Sequence, residues 1–196
     1  GFCAAAIAVM LRAARRRLRT PLHLALSHDE EIGCMGVRSM IDMLETAPVR
    51  PAMCIVGEPT GMQVATGHKG KTALRATCTG REGHSALAPL ALNALHLAAD
   101  LITAMRALQE DIARSGRQDG DYDVPYTTIH AGMLRGGVQV NIVPNRSVID
   151  FEIRALAEDD PETLIRDLRQ RAEAIVAPLR ETFPEAGIVI ERLWDY

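Results

Sequence analysis

The chain has 196 residues, a formal net charge of −3, and 47% hydrophobic against 24% charged residues. That is enough apolar material for one large core or two small ones, and it excludes a disordered chain. The near-neutral balance argues against a nucleic-acid or anionic-membrane surface, and no apolar run approaches the ~18–20 residues of a membrane span. Four cysteines, Cys3, Cys34, Cys54 and Cys78, are scattered without CxxC spacing in apolar or strand-like surroundings. They exclude a disulfide scaffold or a zinc ribbon and suit a reducing, cytoplasmic compartment.

Residues 2–18 place Ala, Ile, Val, Met and Leu at helical spacing opposite a run of arginines between Arg12 and Arg19. They predict a helix packed on a sheet, its arginines forming a solvated face. Residues 22–27 (LHLALS) predict a buried strand that ends in His28-Asp29-Glu30-Glu31. Gly33 and Gly36 break the chain before a second helix over about 36–44. Residues 53–56 predict a second buried strand, stopped by Gly57-Glu58-Pro59-Thr60. Strand, helix, strand is an α/β order, in which ligands gather beyond the carboxyl ends of the strands.

The rhythm changes near Gly67. Residues 72–79 alternate apolar and polar, as a half-buried strand does. Residues 89–112 carry Leu90, Ala94, Leu97, Leu101, Met105, Leu108 and Ile112 at three- and four-residue steps, a long amphipathic helix. A Gly- and Asp-rich loop follows over 115–123, then strands over 127–134 and 147–155. Asp160-Pro161-Glu162 opens a helix running to about 177, with Asp at the cap and Pro in the first turn. Leu164, Leu168, Ile175 and Val176 face inward along it, and 188–190 predicts a closing strand. The order β-α-β-β-α-β is that of a ferredoxin-like α+β sandwich, a four-stranded sheet with two helices on one face. The expectation is an α/β domain over 1–67 with an incomplete sheet and uncovered apolar surface, followed by that sandwich over 68–196.

Four groups of residues can carry chemistry. Asp29, Glu30 and Glu31 are either a solvated turn or adjacent carboxylates pointing to different sides of a loop. In the second case one binds a cation while another polarises a water. Glu58, held extended by Pro59, is a surface residue unless the two strands are neighbours. If they are, three carboxylates converge and require a cation to offset their repulsion. His84, between Gly83 and Ser85, is an idle loop residue or a donor to an oxyanion. Gly136 and Gly137 permit close approach, Asn141 offers donor and acceptor, and Arg154 pairs bidentately with a carboxylate.

In order and spacing, HDEEIGCMG, VGEPT, GHKGK, GREGHSA, VPYTTIHAGMLRGG and NIVPNRSVIDFEIRAL resemble the M20 metallopeptidase family across essentially the whole chain. GHKGK after GEPT, and VPYTTIHAG before the double glycine, fit its acetylornithine-deacetylating branch better than its succinyl-diaminopimelate branch. The resemblance implies that 1–67 are part of a zinc-binding catalytic domain and 68–196 a lid that pairs as a homodimer. Glu30 matches the general acid/base that activates a water bridging two zinc ions, for which cobalt can substitute. Glu31 matches a ligand of one metal and Glu58 a ligand of the other. His84 matches the lid histidine that reaches into the partner subunit's site to stabilise the oxyanion. Asn141 and Arg154, with Gly137 beside them, match lid residues that hold the carboxylate of a small N-acyl amino acid. The implied reaction is hydrolysis of its N-acyl amide bond, with no nucleic acid or membrane involved.

The resemblance also has gaps. The family's His-x-Asp motif, its metal-bridging Asp and its last metal-binding His have no counterpart in these residues. The chain opens inside a helical pattern and closes directly after a β-like run, so the expectation is a piece of a larger protein. Such a piece keeps Glu31 and Glu58 as metal ligands, binds zinc weakly or not at all, and is inactive by itself. Two other readings stand beside the deacetylase. One is another M20 amidohydrolase (desuccinylase, aminoacylase or carboxypeptidase), the other a non-catalytic dimerisation module.

Overall fold

In the computed structural model, which describes residues 1–31, 33–48 and 50–195, the chain divides into two units, Gly1–His68 and Lys69–Tyr196. The first unit forms two helices, α1 (Phe2–Ala13) and α2 (Val37–Thr46), neither of which buries a residue. α1 stops short of most of the arginines, and Arg15 to Arg19 are exposed beyond it.

The two buried strands expected at 22–27 and 53–56 are not formed. Among the described residues both stretches lack any ladder, and their apolar side chains face solvent: Leu26 is 59% exposed, Met53 77% and Ile55 84%. The physical reason is pairing. An extended segment becomes a strand only where a neighbour takes its N–H and C=O groups, and these two do not pair with each other. Cys3 and Cys54 are accordingly exposed instead of sitting in apolar surroundings. The uncovered apolar surface expected of this half is present.

The second unit holds β1 (Gly70–Thr79), β2 (Gly83–His84), α3 (Ala94–Ser115), β3 (Thr128–Gly136), β4 (Ile142–Val143), β5 (Arg146–Ala155), α4 (Pro161–Val176) and β6 (Gly187–Asp195). Four strands form one sheet in the order β3-β5-β1-β6, with every neighbouring pair antiparallel. α3 links β1 to β3 and α4 links β5 to β6, so each connection skips a strand. That is the split βαβ arrangement expected of the ferredoxin-like sandwich.

The period of two along the strands decides which face is covered. Leu74, Ala76 and Cys78 of β1 and Ile149, Phe151 and Ile153 of β5 join Ile190 of β6 in one core. Leu97, Leu101, Met105 and Leu108 of α3 and Ile165, Leu168 and Ala172 of α4 enter the same core, so both helices cover the same face. Burial pushes the Cys78 thiol up, although Ser147 offers it a hydrogen bond.

Both long helices are capped as their sequences dictate. The Asn93 side chain accepts from Leu95 N at 2.9 Å, and Asp160 accepts from Glu162 N at 3.0 Å with Pro161 next to it. Leu90, expected inside the first apolar stripe, is instead 71% exposed. It lies in a 3-10 turn, Ser85–Leu90, that contains Pro89 and precedes the Asn93 cap, so the helical period begins only afterwards.

Where β1 ends, Gly80 donates its N–H to the Asn145 carbonyl at 2.8 Å. A Cβ on Gly80 would run into the Leu92 carbonyl oxygen. Because that neighbour is backbone, Gly80→Ala cannot be absorbed by a rotamer change. A loss of about 1–3 kcal/mol is expected in urea unfolding followed at Trp194, the only tryptophan. An unchanged midpoint would contradict this packing.

Candidate functional site

The acidic triplet of the first unit sits on a tightly wound loop. Gly33 and Cys34 donate to the Glu30 carbonyl at 3.1 and 3.0 Å, Met35 to Asp29 at 3.2 Å, and Gly36 to His28 at 3.1 Å. Asp29 and Cys34 adopt positive φ, 55° and 54°, a costly conformation for residues with a side chain. The loop spends its backbone groups on itself and leaves Glu30 and Glu31 exposed. Glu58 is exposed on a second turn, where its carbonyl receives an N–H from Thr60 at 3.0 Å.

Carboxylates suit a hard or borderline cation, yet no group of three or more His, Cys, Asp or Glu placed to hold a metal exists among the described residues. Zinc takes about four ligands, of which Glu31 and Glu58 would offer two carboxylates.

The second unit gathers three of the expected residues at one end of its sheet. β2 and β4 form a separate two-stranded sheet in which Gly83 opposes Val143 and His84 opposes Ile142. Ser85 then donates its N–H to the Asn141 carbonyl at 2.9 Å, pinning the residues after His84 to the residue before β4. His84 and Asn141 therefore lie side by side, both exposed. Gly137 belongs to the same end, because its neighbour Gly136 pairs with Ser147 and Pro144 stands against it. Its φ of +79° is the left-handed conformation that favours glycine, and it turns the chain from β3 toward Asn141.

Arg154 is elsewhere. On β5 it pairs with Lys71 and Thr128, seven residues beyond Ser147, which at ~3.3 Å per residue is about 23 Å along the strand. It lies on the face away from the helices and donates Nε to Glu152 at 2.9 Å. Lys71 reaches the same glutamate at 3.4 Å. Arg75 forks onto Asp150 at 2.6 and 3.0 Å, with Arg135 at 3.4 Å. This lattice of charges covers the open face of the sheet, and sequence reasoning missed it as a unit. Its signal lies in the alternation of Asp150, Glu152 and Arg154 with apolar residues along β5.

The lattice sets a pH dependence. The Arg75 guanidinium holds the Asp150 carboxyl below its ordinary range. For Glu152, burial alone pushes the carboxyl up, but Arg154 and Lys71 together bring it below its usual value. A carboxyl whose pKa is lower in the folded state adds stability above its unfolded value, and that stability is lost as pH falls through the folded value. Unfolding midpoints should thus be flat near neutrality and fall below about pH 4. Asp150→Asn should flatten the fall that sets in below about pH 4. An Asp150→Asn variant as acid-sensitive as the parent would contradict it.

One residue of the second unit has no signal in the sequence. Lys69, inside GHKGK, donates Nζ to the carbonyls of Val124 at 2.7 Å and Tyr126 at 2.5 Å. It ties the loop before β3 to the start of β1, and burial lowers its pKa despite Asp119 nearby. Only a contact across more than fifty residues shows this, and no local pattern announces it.

Known proteins place the chain. A profile of the M20 peptidase dimerisation domain matches residues 66–179. Acetylornithine deacetylase of Vibrio parahaemolyticus is 30% identical over 84% of this chain and 45% of its own length. The acetylornithine deacetylase of Pasteurella multocida is 29% identical over 92% of this chain and 45% of its own. The chain thus spans about half the length of the curated relatives it matches. Among solved structures, a hydantoinase/carbamoylase family amidase from Burkholderia ambifaria superposes with a TM-score of 0.53 at 15% identity, over 67% of this chain and 29% of that one. That likeness concerns the fold alone. No helix among the described residues is long and apolar enough to cross a membrane. With the dimerisation-domain profile matching more than half of its residues, the chain belongs to the M20 peptidase family.

Proposed function

We propose that the protein of which these residues are part hydrolyses an N-acyl amide bond of a small amino acid, N-acetylornithine being the favoured substrate. Family membership supports the amide hydrolase, and the deacetylases that match over most of this chain support the substrate. The observation that carries the assignment is the pinned, exposed pair of His84 and Asn141 on the dimerisation unit.

In this reading Glu30 takes a proton from the attacking water and returns it to the departing amine nitrogen. Exposed on a loop wound on itself, it is free to exchange protons with a bound reactant. Glu31 and Glu58 each supply one carboxylate to zinc or cobalt, which contributes charge stabilisation when bound, and the remaining ligands come from the rest of the protein. His84 donates a hydrogen bond to the oxygen that becomes negative as the carbonyl is attacked. Asn141, beside it, holds a polar group of the same substrate.

The distance along β5 refines the role of Arg154. A substrate carboxylate is too small to be gripped at both ends of a strand, so Asn141 and Arg154 of one chain serve different sites. A homodimer supplies both, with His84 and Asn141 acting in the partner's site and Arg154 in another. Arg154 then exchanges Glu152 for the substrate carboxylate, a swap between two carboxylate partners.

The test is metal-dependent release of free amine by the complete, cytoplasmically expressed protein. N-acetylornithine, N-succinyl-diaminopimelate, other N-acyl amino acids and dipeptides are compared by kcat/KM. Preference for N-acetylornithine is expected. Preference for another acyl group would move the substrate within the family. No hydrolysis of any of them by a metal-loaded dimer would favour a purely dimerising role.

A further inference from the structure

We infer that His84 offers Nε2 as the single donor of its ring, in a tautomer and orientation selected by the backbone amide of Ala86. The catalytic consequence rests on the role proposed above, whereas the tautomer rests on geometry alone. Ala86 donates its backbone N–H to His84 Nδ1 at 3.2 Å. A backbone amide can only donate, so Nδ1 must keep its lone pair, and the proton of the neutral ring sits on Nε2. Turning the ring over would set a carbon against the amide and lose the bond, so the ring's facing is selected along with its proton.

The contact is a cap. His84 closes the 3-10 turn that begins at Ser85 by the same reach to the second following amide that Asn93 makes to Leu95 and Asp160 makes to Glu162. The backbone beneath it is held on both sides. Gly83 and His84 pair with Val143 and Ile142, and Ser85 is tied to the Asn141 carbonyl at 2.9 Å. Gly83 fills a place where a Cβ would come within 2.9 Å of the Ala91 methyl. Ala86, through its N–H, and Asn141, through its C=O, are therefore positioning residues. A donor whose direction and proton are set before substrate arrives needs no reorganisation when negative charge develops.

Capping and donation can be separated by substitution. In His84→Asn the side-chain oxygen can cap as Asn93 does, but nothing reaches as far as Nε2. In His84→Gln an amide nitrogen reaches about as far as Nε2, but the short capping reach is lost. Long-range proton–nitrogen correlation on the histidine-labelled 196-residue chain should show the neutral His84 ring with a bare Nδ1 and a protonated Nε2. A protonated Nδ1, or an average of the two tautomers, would overturn the inference. Thermal unfolding of the same chain should leave the His84→Asn variant at the parent midpoint and lower the His84→Gln variant by a few degrees. The reverse order would overturn it equally. In the complete enzyme the His84→Asn variant should lose kcat with KM nearly unchanged. Full activity there would defeat the catalytic role of His84, while the spectrum and the melting order would still decide the tautomer.

Discussion

His84→Ala in the complete enzyme is expected to lower kcat by roughly 10²–10³-fold while leaving KM within a few-fold of the parent. The split follows from where the contact forms. A donor aimed at a developing oxyanion meets little charge in the bound substrate and full charge near the transition state, so its loss is felt in the chemical step. Structure adds that the substitution is local. His84 is exposed, its strand is pinned by backbone bonds to β4 and Asn141, and none of those bonds uses the ring. A variant that melts a few degrees below the parent, because the ring's cap on Ala86 N–H is lost, yet turns over slowly is the expected result. A raised KM with unchanged kcat would mean that His84 binds substrate and its transition state alike.

The largest effect on stability is expected at Leu101. This residue sits near the middle of α3, is fully buried, and belongs to the core formed with Leu74, Ile149, Ile153 and Leu168. Leu101→Ala removes buried methyl groups where sheet and both helices meet, and the cavity can close only partly. A loss of about 2–5 kcal/mol is expected in urea unfolding followed by Trp194 fluorescence. Trp194 reports on the same unit, since it lies on β6 with the Lys71 ammonium 4.5 Å from its ring. A loss below about 1 kcal/mol would mean that the site repacks and that the core is not held there.

The two halves of the chain are legible in the sequence to different degrees, and the reason is the range of the interactions involved. The sandwich announces itself locally. Period-two alternation in β1 and β5, the Asn93 and Asp160 caps, and apolar stripes on α3 and α4 all point to one arrangement, and each strand finds its partner within the unit. In the first unit the apolar runs at 22–27 and 53–56 read as strands, but a strand is defined by its neighbours and these runs pair with none among the described residues. Site residues divide in the same way. His84 and Asn141 are recognisable one by one, and their adjacency follows once β2 pairs with β4. The separation of Arg154 from Asn141 needs the register of β5, because thirteen residues of sequence conceal most of a strand's length. Lys69 and the charge lattice depend on contacts between distant segments, which local patterns do not encode.

The central claim is that the dimerisation unit of one subunit supplies His84 to the site that Glu30 serves in another. Subunits carrying His84→Ala and subunits carrying Glu30→Ala, each nearly inactive alone, can be mixed under conditions that exchange partners, with heterodimer formation followed by differential tags and native mass spectrometry. If the claim holds, each heterodimer contains one site with both residues intact, and activity should rise with the heterodimer fraction toward about half of the parent's per dimer. Heterodimers that demonstrably form and remain as inactive as either homodimer would contradict the claim and place His84 in its own subunit's site, or outside the chemistry altogether.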